Sequence, residues 1–198
     1  LGPDVVFASD ITRPDTVARL RRFGLPVIVL AGPGLDGIAA DMRRAAQAMG
    51  LDAAAALAAF AAERAAVADA LAGLAAADRP KVLVTFGLQT TLSAGVGTFT
   101  DALIREAGGR NVAAEAPGAW PRLTREFILG RDPDILVATA PDTDGLCPAP
   151  PEILAAYRRD PVWSELTAVR EGQVWLADDD AFTVPAPGIT EPLAALAR

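Results

Sequence analysis

The sequence predicts an α/β fold of two related units joined by one long helix, the first unit incomplete. Three observations carry this. A phrase occurs twice, as Leu1-Gly-Pro-Asp-Val-Val-Phe-Ala8 and as Leu129-Gly-Arg-Asp-Pro-Asp-Ile-Leu-Val-Ala138. Each Pro-Asp opens a short apolar run that reads as a buried strand. After helical material, each run is followed by a second apolar run, residues 26–30 in one copy and 173–176 in the other. Between the copies lies an alanine-rich stretch, residues 52–77. Residues 81–129 lead into the second copy and nothing leads into the first, so Leu1 is expected to stand in the middle of a protein.

Residues 5–8 are predicted as a strand and 13–23 as a helix, with Pro14 in the tolerated first turn and Gly24 as the stop. Residues 26–30 complete a βαβ unit, which implies parallel strands and a right-handed crossover. The turn Gly32-Pro33-Gly34 precedes a helix at 35–49, with Leu35, Ile38, Met42, Ala45 and Met49 on one face. Asp52 is placed to cap the long helix, expected to run to Ala77 over roughly 40 Å at about 1.5 Å per residue. Its larger apolar residues Leu57, Phe60, Val67, Leu71 and Leu74 are interrupted by Arg64.

Beyond the break at Pro80, 82–86 reads as a strand, 87–97 as a loop, 98–107 as a helix and 124–129 as a short helix. Residues 135–138 read as a strand, 141–151 as a proline-rich loop holding Cys147, and 152–157 as a helix. Residues 174–177 are a strand and 191–197 a closing helix. The expected division is 1–50, the remaining half of an N-terminal unit; 51–79, the joining helix; and 80–198, a complete unit with mostly parallel strands.

Composition narrows function. Hydrophobic residues make up 52% of 198 positions, enough for a core, and the net charge of −7 argues against a nucleic-acid partner. Histidine is absent and Cys147 is the single cysteine. This excludes Ser-His-Asp and Cys-His catalysis, histidine-ligated zinc and an internal disulfide. No stretch of about 20 residues is apolar without charges, so no transmembrane helix is expected.

Several residues invite a functional reading. Gly95-Val96-Gly97-Thr98 enters a helix as a phosphate loop might, but it lacks a third glycine and stands far from its strand, so a plain helix-entry turn is the expected reading. Asp178-Asp179-Asp180 follows a strand, where open α/β sheets place ligands. The three carboxylates could hold a cation or form a solvated loop. Phe86 ends a strand, and Trp120 sits in a loop between Ala119 and Pro121. Together they could wall a site for a large ring system or pack in the core. Trp163 and Trp175 lie inside patterned elements and read as core. Glu126 opens a helix behind Thr124, where the helix dipole favours an acid, and could also face a basic partner.

Six stretches in order complete a resemblance: Leu1–Asp10, Phe23–Leu30, Ala107–Val112, Trp120–Glu126, Asp132–Leu136 and Val169–Trp175. Over nearly its whole length the chain resembles the periplasmic substrate-binding proteins of ABC importers for cobalamin, haem and ferric siderophores. The resemblance implies two Rossmann-like lobes joined by one long helix, with the ligand in the cleft between them. It implies no enzyme activity, no cofactor of the protein's own and no metal ligands. The cargo it implies is a cobalamin-type metal chelate, the implied partner an ABC permease of the inner membrane, and the implied place periplasmic, or extracellular and membrane-tethered.

Carried onto this sequence, Phe86 and Trp120 match aromatics lining the corrin side of the cleft, with Gly87 beside them. Ser9 and Asp10 take the first-lobe loop facing the ligand, a departure from cobalamin binders that carry tryptophan there. Asp180 and Phe182 lie at the cleft rim. Glu126 matches an acid that docks on a permease arginine. Haem is disfavoured, since Tyr157, the single tyrosine, is expected in a helix away from the cleft. A ferric-siderophore binder, using Arg13, Arg122 or Arg125, and a carboxylate enzyme at 178–180 are the rivals. The long helix implies small closure, and an incomplete first lobe implies exposed apolar surface and self-association.

Overall fold

Both copies of the repeated phrase form parallel strands, as their apolar runs demand. The computed structural model describes residues 2–9, 12–30, 32, 34–143 and 145–178. In the first copy β1 (Val6–Ser9) pairs with β2 (Val27–Leu30), Val6 opposite Val27, and α1 (Pro14–Arg22) makes the crossover. Two helices follow, α2 (Gly34–Met49) and α3 (Ala54–Ala70).

The second copy belongs to a five-stranded sheet. Its strands are β3 (Lys81–Thr85), β4 (Arg110–Asn111), β5 (Ile135–Thr139), β6 (Leu146–Pro148) and β7 (Val174–Ala177), in the order β4-β3-β5-β7-β6. All pairings are parallel except β6 with β7. Helices α4 (Phe99–Glu106), α5 (Arg125–Arg131), α6 (Pro151–Arg159) and α7 (Thr167–Arg170) connect them. The proline-rich segment 141–151 therefore holds an edge strand where a loop was expected. Pro148 at its end suits an edge, because it has no N–H to leave unpaired there. The strand β4 and the 3₁₀ turn Val112–Glu115 are likewise absent from the sequence reading, being too short to show a period. The closing helix expected at 191–197 lies outside the described residues.

The central strands are continuously apolar because both faces of the sheet are covered. Alternate residues serve two cores. Val82, Val84, Val137 and Ala177 meet Leu35 and Ile38 of α2, Phe60 and Val67 of α3, and Leu103 and Ile104 of α4. Leu83, Leu136 and Val174 meet Ile128, Tyr157, Trp163, Leu166 and Val169 on the other side. Through these residues α2 and α3 join the core that α4 shares with the larger sheet, α2 packing against α4. Met49, expected on the packed face of α2, is 50% exposed at its end, with Phe23 (76%) and Leu51 (61%) also exposed.

The helix expected over 52–77 is shorter. It ends at Ala70, about 26 Å long at about 1.5 Å per residue. Asp52 accepts the Ala54 N–H at 2.8 Å, and Leu71 closes the helix through a bond to the Val67 carbonyl. A turn containing Gly73 and a 3₁₀ turn at Ala76–Asp78 follow. Leu71 and Leu74 keep the apolar spacing because both reach Gly108, where an added Cβ would lie 3.0–3.1 Å from them. The pattern reflects packing that outlasts the helix. Arg64, the break in that pattern, joins three helices. Its guanidinium makes paired bonds to Glu106 of α4 (3.0 and 2.8 Å) and one to Asp36 of α2 (2.8 Å).

Two carboxylates lock the far side of the sheet. Asp132, at φ +43°, accepts the N–H and hydroxyl of Thr167, each at 2.7 Å. Burial opposes its ionisation, but these bonds, with Lys81 and Arg170 nearby, hold its carboxyl below the usual range. Asp160 is held low by the Val162 N–H, against burial, with help from the Trp163 N–H and Arg125. A depressed folded-state pKa stabilises above the unfolded value of about 3.9 and is lost as pH falls through the folded value. The urea midpoint is expected to fall as pH drops below about 4, and Asp132→Asn should flatten that fall. An unchanged pH profile in the variant would remove Asp132 from the account.

Candidate aromatic binding wall

At the carboxyl end of β3 the chain turns back on itself. Phe86 donates its N–H to Leu92, and Ser93 pairs antiparallel with Thr85. Segment 91–95 is then zipped to 119–123. Ser93 donates to Pro121 at 3.0 Å, Gly95 to Ala119 at 2.8 Å, and Leu123 to Thr91 at 2.9 Å. This ladder brings together Phe86 and Trp120. Their ring centroids are 5.5 Å apart and their planes meet at 56°. Trp120 is 49% exposed, and Leu88 and Val96 of the segment after β3 also face solvent. Half-exposed Trp120 and partly buried Phe86 thus present apolar ring surface at a strand's carboxyl end, where open α/β sheets place ligands.

The wall stands on buried polar supports. Gly95 lies so close to the neighbouring segment that an added Cβ would sit 2.3 Å from the Gly118 carbonyl oxygen. Behind it, Thr98 caps α4 by accepting the Asp101 N–H and donates its hydroxyl to the Gly95 carbonyl at 2.8 Å. Asp101 is 1% exposed; it takes bonds from Asn111 (3.0 Å) and from the Gly97 N–H (3.3 Å), and pairs with Arg105. The glycine-threonine sequence is thus a helix-entry turn. Its amide bonds close inside the turn, and a buried carboxylate stands where a phosphate would need positive charge.

The other predicted residues are scattered. Gly87, at φ +107°, makes the turn that glycine permits. Its N–H goes to the Thr139 hydroxyl (3.0 Å) and its carbonyl accepts from the Thr85 hydroxyl (3.1 Å), so both are engaged inside the protein. Ser9 ends β1 in the other sheet, closed into a turn with Thr12. Asp10, Asp180 and Phe182 lie outside the described residues. Of the acidic run only Asp178 is described, its N–H bonded to the Gly145 carbonyl. Among the described residues no three His, Cys, Asp or Glu side chains converge on a metal position, and no helix is long and apolar enough to cross a membrane. Glu126 is exposed in the first turn of α5, which Thr124 caps through the Phe127 N–H. Trp163 is core and Trp175 is partly buried.

Tyr157 corrects an expectation. It was expected away from the cleft loops, yet its hydroxyl accepts the Gln89 N–H at 2.9 Å, inside the loop that follows Phe86. Its ring is fully buried, edge-on to Trp163. The signal in the sequence was slight: a lone tyrosine in an apolar helix face needs a partner for its hydroxyl.

The model of the family described as periplasmic binding protein matches residues 1–181. The chain belongs to that family. Over its whole length this periplasmic binding protein chain is 35% identical to a Halobacterium salinarum protein named cobalamin-binding protein, of which it covers 53%. The periplasmic haem-binding protein RhuT from Roseiflexus sp. RS-1, in its apo form, superposes at a TM-score of 0.79 with 25% identity. That match covers 98% of this chain and 74% of RhuT. The periplasmic vitamin B12 binding protein BtuF of Vibrio cholerae shares the fold at a TM-score of 0.78 and 18% identity, over 98% of this chain and 72% of BtuF. The chain spans about half the length of the first curated relatives it matches. The family is one of binding proteins, not of enzymes.

Proposed function

We propose that this chain serves in the substrate-binding component of an ABC importer and holds a cobalamin-type metal chelate against Phe86 and Trp120. The observation that carries the reading is the pairing of half-exposed Trp120 with partly buried Phe86, 5.5 Å between centroids, at the carboxyl end of a parallel strand. A corrin is a broad ring whose methyl-bearing conjugated frame offers apolar surface, and aromatic contacts contribute about 0.5–1.5 kcal/mol each beyond the area they cover. The 35% identity to a protein named for cobalamin binding supports the same reading.

The partner is an inner-membrane permease and the place of work periplasmic. Exposed Glu126 is the docking acid offered to a basic permease surface. An iron chelate is the second reading, favoured by the likeness to a haem-binding protein. Tyr157 would give haem no axial ligand, because it is fully buried and its hydroxyl is bonded to Gln89.

The test is a titration of the protein with cyanocobalamin, haemin and a ferric hydroxamate, followed by tryptophan fluorescence. Cyanocobalamin is expected to quench Trp120 emission and to saturate at one equivalent. Saturation by an iron chelate alone would replace cobalamin with the second reading, and saturation by none would sink both.

A further inference from the structure

The loop that carries Phe86 is fastened by four hydroxyl groups, three of them on buried residues. Tyr157 accepts the Gln89 N–H (2.9 Å). Thr85 donates to the Gly87 carbonyl (3.1 Å), Thr139 accepts the Gly87 N–H (3.0 Å), and Thr90 donates to the Phe86 carbonyl (3.1 Å). Thr85, Thr139 and Tyr157 are each 0–1% exposed. They come from the ends of β3 and β5 and from α6, so three elements converge on five residues of loop.

That loop needs holding. Gly87 and Gln89 both have positive φ, at +107° and +51°. For glutamine this region is disfavoured, and a residue persists there only when its surroundings fix it. The Gln89 amide supplies such a bond, and the Gln89 side chain adds a second through the Ala156 carbonyl at 3.2 Å. The loop also leaves Leu88 40% exposed beside Phe86, so no apolar burial of that residue holds it down.

We infer that Tyr157 is a positioning residue of the binding wall, setting the place of Phe86 against Trp120 through the Gln89 backbone amide. The inference rests on the wall being the ligand site. Its structural content is separate: without the hydroxyl, the loop 86–90 loses its deepest anchor while the tyrosine ring keeps its edge-on contact with Trp163, centroids 5.5 Å apart.

Tyr157→Phe isolates the hydroxyl. In the full chain, two quantities are measured: hydrogen exchange over residues 86–92 and affinity for cyanocobalamin. Exchange at Gln89 is expected to rise at least tenfold, with exchange in β5 and β7 unchanged. Affinity is expected to fall roughly five- to tenfold, the scale of one buried hydrogen bond. Thr139→Val, which frees the Gly87 amide from a different element, should reproduce both effects and stands in should Tyr157→Phe fail to fold.

Unchanged exchange at Gln89 overturns the inference whatever the affinity does. Raised exchange with unchanged affinity also overturns it, because the loop would then be loose without consequence for the wall. If the unaltered protein binds no cobalamin, the ligand reading fails, and the positioning role is decided by whether the variant reddens Trp120 emission as its packing against Phe86 loosens. An unshifted spectrum counts against it.

Discussion

Trp120→Ala should lower affinity for cyanocobalamin by about 30-fold or more, the loss of roughly 2 kcal/mol or above that marks a buried aromatic anchor. The ring is 49% exposed in the free protein, so its removal leaves no core cavity. The variant should therefore melt within a few degrees of the unaltered chain. It should also lose the part of the fluorescence quench that arises at Trp120, leaving only the quench of Trp163 and Trp175. Trp120→Phe separates the two effects. It should recover much of the affinity and none of that part of the quench. Full affinity in Trp120→Ala would remove the aromatic wall from the binding account.

Gly95→Ala should be the most damaging single methyl in this region. The added Cβ would lie 2.3 Å from the Gly118 carbonyl oxygen, and backbone cannot swing aside as a long side chain can. Either the rung from Gly95 to Ala119 breaks or the 118–121 segment moves away and carries Trp120 with it. Overpacking of this kind costs about 1–3 kcal/mol, and a broken buried backbone bond adds about 1–3 more. A loss of unfolding free energy of that combined size in urea is expected, along with weaker cyanocobalamin binding. Gly130→Ala is the control, since a Cβ there meets nothing within 4 Å. Equal behaviour of the two variants would deny the close approach.

Much of this was legible in the residues. Runs such as Leu136-Val-Ala138 announce strands buried on both faces, and Pro14 and Gly24 bracket their helix as the rules of capping require. Phe86 at a strand end and Trp120 in a loop could be read either as one wall of a site or as core packing, and the structure sets their rings 5.5 Å apart. What could not be read was the means of their meeting. The ladder between 91–95 and 119–123 is short, lacks alternation and depends on Gly95 and Gly118 touching, which no local pattern encodes. Tyr157 was misplaced for a similar reason. Helix periodicity says that its ring is buried but not which loop its hydroxyl meets. The overlong helix had another cause: Leu71 and Leu74 continue a helical spacing although Gly73 and a turn separate them, because their partner at Gly108 lies off the helix end.

On the proposed reading of the pair as a ligand wall, the tilt of 56° between the rings of Phe86 and Trp120 would bear on selectivity. Two parallel rings would form a slot, which accepts a disc either way up. Two rings at this angle form a corner, and a disc laid flat on one of them presents its rim to the other. A molecule seated there can turn about its own centre only by changing which part of its rim faces the second ring. For a disc whose two faces carry different groups, turning it over exchanges the group that points into solvent for the one that points at the protein. A corner of two unlike aromatics can therefore tell the top of such a molecule from its bottom, using no charge and no hydrogen bond.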